Sequence, residues 1–550
     1  MIKKSIFCLI LTIFYSLVST AQNFDIILGR PTDSSITASV MFDKACQFYF
    51  EYSATPGLYS NTTASNTGNI NIPIEVDFNN LSPNTRYYYR MKYKLSTATL
   101  YSTTNEYSFI TQRSKGSSFC FTIESDEHLY DKKGVDNMFR VTLENQANDN
   151  PDFMLTLGDI FGDDHTYLDT VRFPVRITNA EVDSLHKDYR RFLGNVCHSI
   201  PFYVALGNHE GEKCYYLQHP TPPENLAVYG TIARKKYYPN PYPNRFYSGN
   251  ADLENYGMNS PENYYAWTWG DALFVVMDVY RYDNDTTDKP TGWNWTLGLK
   301  QYLWLKNTLT NSTSKYKFVF CHHVRGEGRG GYTNAGLCEW GGYNKYTTAT
   351  HAFSQYKFYN YRDSSLGWIK PIHALFKDNG VNVFFQGHDH VFAHEIYDGV
   401  TYQSCPMAAD STYEIGMLAN ADAYLSDTLD GTGHIRVNVN PSYAQVDYVR
   451  AYLPADVVNG LHQNGEVAFS YKVRSKSTYS FVGNGNWTDP ANWVENAVPP
   501  ATLPSGYSIY IEPIIGGQCI LNTTQTISSG AKINVNPNCK LIVPGALNIQ

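Results

Sequence analysis

The sequence has no long basic stretch, and that absence removes the electrostatic footprint expected of a nucleic-acid binder. Asp and Glu outnumber Lys and Arg, 51 to 43, for a formal net charge of -8. An anionic substrate is still compatible with that balance if metal ions supply local positive charge. Charged residues make up only 17% of the chain against 43% hydrophobic, a globular composition with no collagen-like or disordered bias. No CxxC pair is present, so nothing points to a structural zinc knot. Cysteine is sparse, at ten in 550 residues. Cys8 lies in an N-terminal apolar run, and the nine that remain are an odd number, so at least one thiol stays unpaired within the chain. Cys120 and Cys321 sit in apolar strand-like runs and are expected as buried free thiols, while Cys519 and Cys539 are the disulfide candidates. Beyond residue 21 no long apolar run occurs, so no transmembrane segment is expected in the mature chain.

The N-terminus has the layout of an export signal. Lys3 and Lys4 give a basic start, Ser5 to Val18 is mostly apolar, and Ser19-Thr20-Ala21 places small residues before a cut after Ala21. The apolar run is short of the ~20 residues a membrane span needs. The expectation is therefore a signal peptide at 1–21 and a secreted, periplasmic or cell-surface protein.

A chain of 550 residues exceeds one ordinary core, so several domains are expected. Aromatic residues are abundant, with 45 Tyr, 28 Phe and 9 Trp, and suit pleated surfaces. Residues 22–113 read as all-β, with alternating runs at Ile36–Phe42, Gln47–Tyr52, Ile74–Phe78, Tyr87–Tyr93 and Tyr107–Thr111. Residues 114–474 alternate between buried strands (Met154–Leu157, Phe202–Leu206, Leu273–Met277, Lys317–Phe320, Val381–Phe385) and amphipathic helices (Val135–Asn145, Ala180–Leu193, Leu297–Leu309), the pattern of a layered α/β domain. Two irregular inserts interrupt it, at 211–262 and 325–365; long loops of this kind in a compact domain are usually functional. Residues 475–550 carry a Trp487–Trp493 cluster and short strands, with Gly530-Ala531 and Gly545-Ala546 about one coil apart. They read as a small β-helical or sandwich module for surface or glycan attachment, or as a structural cap.

Five blocks carry the chemistry, each at the end of an expected strand: Asp126-Glu127-His128, Gly158-Asp159, Gly207-Asn208-His209-Glu210, His322-His323 and Gly387-His388-Asp389-His390. In α/β sheets, ligands gather at the carboxyl ends of strands. Carboxylate, amide oxygen and imidazole are the ligands of hard-to-borderline divalent metals. Two metals about 3.5–4 Å apart need one bridging ligand, which a two-oxygen carboxylate can supply. The His322-His323 doublet also fits one core and one surface histidine, and Glu210 reads as a solvated carboxylate or a residue orienting His209.

These blocks resemble the calcineurin-like metallophosphoesterase superfamily, a β sandwich flanked by helices in four layers, over roughly residues 118–455. The turn Leu81-Ser82-Pro83-Asn84-Thr85-Arg86-Tyr87 resembles the strand start of fibronectin type III domains. A fibronectin III-like domain followed by this catalytic domain resembles purple acid phosphatases. The resemblance implies that Asp126, His128 and His390 bind one metal, that Asp159 bridges, and that Asn208, His322 and His388 complete the second. It implies that His209 stabilises the transferring phosphoryl group and protonates the leaving oxygen. One position departs: where purple acid phosphatases carry the iron-binding Tyr, this chain has Gly162, so an iron–tyrosinate centre is not implied and Zn, Mn or Fe remain open. The expected protein is a metal-dependent phosphoric ester hydrolase with two divalent or mixed-valence metal ions, a monoesterase before a diesterase or nucleotidase. A different class, a surface binding protein with the enzyme domain as scaffold, would have no need of every ligand type. Arg325 and Arg329, after His322, either contact anionic substrate oxygens or are surface arginines without a role, and Tyr237, Tyr238 and Tyr242 either stack on substrate or pack their loop.

Overall fold

The computed structural model describes residues 23–550 apart from 130–132, 163–176, 213–222, 282–296, 324–342, 346–355, 359–369, 371, 416–426 and 459. The expected signal segment 1–21, Arg325, Arg329 and most of the second insert lie outside the described residues.

The N-terminal region is a β sandwich. Phe24–Gly29, Ser35–Phe42 and Ile74–Asn79 form one antiparallel sheet, and Cys46–Ser53 pairs with Arg86–Leu95 at the centre of the other. Alternating residues such as Ile26, Val40, Phe48, Phe50, Phe78 and Tyr89 fill the space between. The sandwich is tied to its neighbour by polar contacts to otherwise buried groups: the Tyr89 hydroxyl donates to His198 O at 2.6 Å, and fully buried Arg190 donates to Asp25 at 2.6 Å and to Ser39 O at 2.8 Å.

The central region has four layers. Phe202–Val204, Phe153–Thr156 and Phe119–Glu124 run parallel and continue into antiparallel Gly433–Val439, Ala444–Arg450 and Val467–Val473. A second, eight-stranded sheet holds Ala272–Val276, Tyr316–Phe320, Val383–Gln386 and Val400–Ser404 side by side in parallel. Alternation within single strands builds the layers. Phe121, Phe153, Phe274, Phe318, Phe320 and Phe385 point between the sheets. Their neighbours Met154 and Phe202 face helices Asp136–Asn148 and Asn179–Leu193, and Leu273, Val275 and Val319 face Gly298–Asn311 and Ile372–Asn379. The expected α/β four-layer arrangement is therefore present, and the inter-sheet aromatics, at roughly 1.5–3 kcal/mol each, are its main stabilisation.

The first insert differs from expectation. Part of it is a helix, Leu226–Tyr237, started by the Asn225 side chain, which accepts from Ala227 N at 2.9 Å. Its Arg234, fully buried, pairs with buried Glu212 at 2.6 Å. Tyr237 and Tyr238 are buried in packing rather than presented to a ligand, whereas Tyr242 is exposed beneath the Arg30 guanidinium.

The C-terminal region is a three-coil parallel β-helix. Thr478–Phe481, Ser508–Ile511 and Lys532–Val535 stack as one face, and two further three-stranded parallel sheets make the others. Phe481, Trp487, Trp493, Leu503 and Ile509 fill its interior. The expected Cys519–Cys539 disulfide is not formed: Cys519 points into this core, Cys539 is half-buried, and both thiols are free. Cys321 is a buried free thiol and Cys120 a half-buried one. Among the described residues no helix is long and apolar enough to cross a membrane.

Candidate metal centre

Five parallel strands end at one place, three from the first sheet and two from the second. Asp126 and His128 follow Phe119–Glu124, Asp159 follows Phe153–Thr156, and Asn208 and His209 follow Phe202–Val204. From the other sheet, His322 follows Tyr316–Phe320, and His388 and His390 follow Val383–Gln386. The loops are laced by their backbones: Asp126 N bonds Gly158 O, His128 N bonds Asp159 O, and Gly387 N bonds His322 O, at 3.0, 3.0 and 3.1 Å.

Bringing so many side chains inward strains the chain. Asp126, His128, Asp159, His388 and His390 all have positive φ, from 41° to 71°, a region that non-glycine residues seldom occupy. Glycines make the rest of the room. A side chain on Gly207 would strike the Asp159 backbone, and one on Gly387 would strike the Ser125 hydroxyl and the Asp126 carboxylate.

The ligand-type atoms converge. His128 Nε2 lies 3.1 Å from His390 Nε2, and His390 Nε2 lies 3.3 Å from Asp126 Oδ1. Asp159 Oδ2 is 2.9 Å from His322 Nε2, 3.7 Å from His128 Nε2 and 4.0 Å from His209 Nε2. Asp159 is thus shared between the Asp126–His128–His390 group and the His322 side. Its other oxygen accepts from His209 N at 2.8 Å. His322 Nδ1 is occupied by Leu157 O at 3.0 Å, which turns Nε2 inward. All these side chains are buried except that of His209, which is 15% exposed and stands at the mouth. Burial works against both aspartates, but the imidazoles around them dominate: Asp126 is lowered to about 2 and Asp159 well below its ordinary value, while their charges raise His322 to about 9 against its own burial.

The donor set fits divalent cations. Facing imidazole nitrogens with carboxylate oxygens between them have little reason to converge except around positive charge. The Asn208 side-chain oxygen is buried without a hydrogen-bond partner, as an amide ligand awaiting a cation would be.

Three features escaped the sequence reading. Glu210 is neither solvated nor aimed at His209. At 1% exposure, it accepts from Gly207 N at 2.6 Å and Ile160 N at 2.9 Å, bracing the Asp159 loop against the Asn208 loop. Burial raises it to about 7. Glu124 and Glu127 form a buried pair beneath the first loop, held by Gln146, Tyr189 and Thr156, and burial raises both. His322 and His323 are both buried, so the core-plus-surface alternative fails. A run of acids flanking Asp126 was the available signal for the pair.

Comparison with known proteins supports the family and the fold. The family model for calcineurin-like phosphoesterases matches residues 121–392. No curated protein matches the chain. A solved structure described as PhoD is 17% identical, covers 82% of this chain and 91% of its own, and superposes with a TM-score of 0.53, which shows a shared fold. GAP50, described as the anchor in the inner membrane complex of Plasmodium, is 14% identical over 65% of this chain and 89% of its own, with a TM-score of 0.33.

Proposed function

We propose, from the premise that residues 121–392 are a calcineurin-like phosphoesterase domain and hence part of a metal-dependent phosphoric ester hydrolase, that this chain is an exported enzyme of two metal ions acting on phosphate monoesters. The observation that carries the reading is the convergence of six ligand-bearing side chains from four strand ends, Asp159 shared among them, with His209 reaching in from a fifth. Asp126, His128 and His390 would hold one cation, Asn208, His322 and His388 the other, and Asp159 both. When bound, such a pair supplies Lewis acidity toward the phosphoryl oxygens and a water of lowered pKa.

The chain's own residues do the rest. Asp159 fixes the His209 backbone, and the imidazole, 4.0 Å from Asp159 Oδ2 and partly exposed, would reach a phosphoryl group held at that carboxylate. From there His209 neutralises charge on the equatorial oxygens and gives its proton to the leaving oxygen. Glu210 keeps the loops of Asp159 and Asn208 in register, and the left-handed ligand backbones are held by the lacing around them. The preference for monoesters draws on the first insert, which starts beside His209 and is anchored by the buried Glu212–Arg234 pair. Export is supported by the basic, apolar and small-residue pattern of residues 1–21, and the terminal β-helix suits a surface-attachment role.

The test is turnover of nitrophenyl phosphate against bis-nitrophenyl phosphate by the metal-loaded full chain. The reading expects faster hydrolysis of the monoester. A preference for the diester would reverse the substrate claim, and inertness toward both would remove the enzymatic one.

A further inference from the structure

The His322-His323 doublet places a second imidazole where the family resemblance asks for one. His323 is 1% exposed. One ligand atom each from His322, His323 and His388 lies within 4.8 Å of the others, and the His323 and His388 ring centres are 3.5 Å apart. The His322 and His323 ring centres are 5.0 Å apart, with the rings at 72° to one another.

We propose that His323 belongs to the second metal position as an additional imidazole ligand, and that Tyr280 is the positioning residue that aims it. This rests on the phosphoesterase reading above. A metal-bound histidine characteristically gives one ring nitrogen to the ion and the other to an oxygen partner that fixes ring and tautomer. His322 shows that layout, with Nδ1 on Leu157 O. His323 repeats it, with Nδ1 hydrogen-bonded to the Tyr280 hydroxyl. Tyr280 is itself held. Its backbone N donates to Asp278 Oδ1 at 2.7 Å, and Asp278 is gripped by Gln301 of helix Gly298–Asn311, which accepts from Asp278 N at 3.0 Å and donates to Asp278 O at 2.6 Å. A relay from that helix through Asp278 and Tyr280 to His323 has the form of a support for a ligand.

The chemical consequence is an asymmetric pair. The first position offers two imidazoles and a carboxylate besides Asp159. The second offers three imidazoles and an amide oxygen. Nitrogen-rich sites prefer zinc over manganese or magnesium. The second position is therefore the one that selects and retains zinc.

The experiment uses the full-length chain, loaded with zinc and equilibrated against a graded chelator, with bound metal counted by elemental analysis. Wild type is expected to hold two zinc ions. His323→Asn is expected to lose one of them with an affinity at least about 10-fold weaker, and Tyr280→Phe to weaken the same ion less, in the range typical of second-layer partners. His323→Cys restores a ligating atom and keeps the question answerable if the Asn variant does not fold. It is expected to recover zinc and, when loaded with cobalt instead, to show a thiolate-to-cobalt charge-transfer band that wild type lacks. Retention of both zinc ions by His323→Asn at wild-type affinity overturns the assignment, as does a cobalt-loaded Cys variant without the band. A wild-type chain that binds no zinc at all overturns the phosphoesterase reading together with it.

Discussion

The catalytic sandwich and the terminal β-helix are both built on parallel strands, yet they use left-handed backbone in opposite ways. In the β-helix it falls on Glu495, Asn496, Asn538 and four glycines, and at two of these, Gly506 and Gly516, an added side chain would meet nothing within 4 Å. There the conformation only turns the chain. At the metal loops of the catalytic domain it falls on Asp126, His128, Asp159, His388 and His390, residues with side chains, and those side chains converge. A turn can use glycine without cost to chemistry. A metal loop cannot, because the strained residue is also the one that must reach inward, so the strain is held by neighbouring contacts. The same contrast separates the glycines: Gly387 lies against the Asp126 carboxylate, and Gly506 lies against open space.

That contrast can be broken at its strongest point first. Asp159→Asn removes the shared charge, and both metal content and turnover are expected to fall to background by elemental analysis and nitrophenyl phosphate assay. His209→Ala is expected to lower turnover roughly 10²-fold or more, in the range of general-acid contributions, while leaving two metals per chain. Gly387→Ala crowds Ser125 and Asp126 without removing a ligand, and metal affinity by chelator competition is expected to weaken about 10–100-fold. Gly506→Ala is the smallest. Its left-handed φ of 83° costs about 1 kcal/mol in thermal unfolding, with turnover unchanged. Equal effects of the two glycine substitutions on metal affinity would dissolve the contrast.

Much of this is legible in the amino-acid sequence, and the reason is periodicity. Runs such as Lys317–Phe320 and Val381–Phe385 are apolar on both faces because layers cover both faces of their sheets, and a Gly, Asn or His after them marks the point where the chain leaves the core. The structure gives the corresponding strands as Tyr316–Phe320 and Val383–Gln386. Six of the seven ligand candidates, Asp126, His128, Asp159, His322, His388 and His390, lie with His209 in overlapping groups of ligand-type atoms, and the seventh, Asn208, has a buried amide oxygen. The misread glutamates share one cause: a carboxylate's partners are invisible in sequence. Glu210 looks solvated because Glu usually is, and only the approach of two glycine-bearing loops provides the Gly207 and Ile160 amides that bury it. Glu127 sits between two ligand candidates and points the other way, to Thr156 and Tyr189. The helix Leu226–Tyr237 was hidden by its Pro- and Asn-rich surroundings, although Asn225 supplied its cap. The Cys519–Cys539 pairing failed because compartment alone says nothing of where two side chains point.

The most direct test of the central claim is anomalous diffraction from crystals of the zinc-loaded chain at the zinc edge. The account predicts two peaks about 3.5–4 Å apart, one on either side of the Asp159 carboxylate, the first against Asp126, His128 and His390 and the second against Asn208, His322 and His388. Peaks remote from Asp159, or none at saturating zinc, would contradict it.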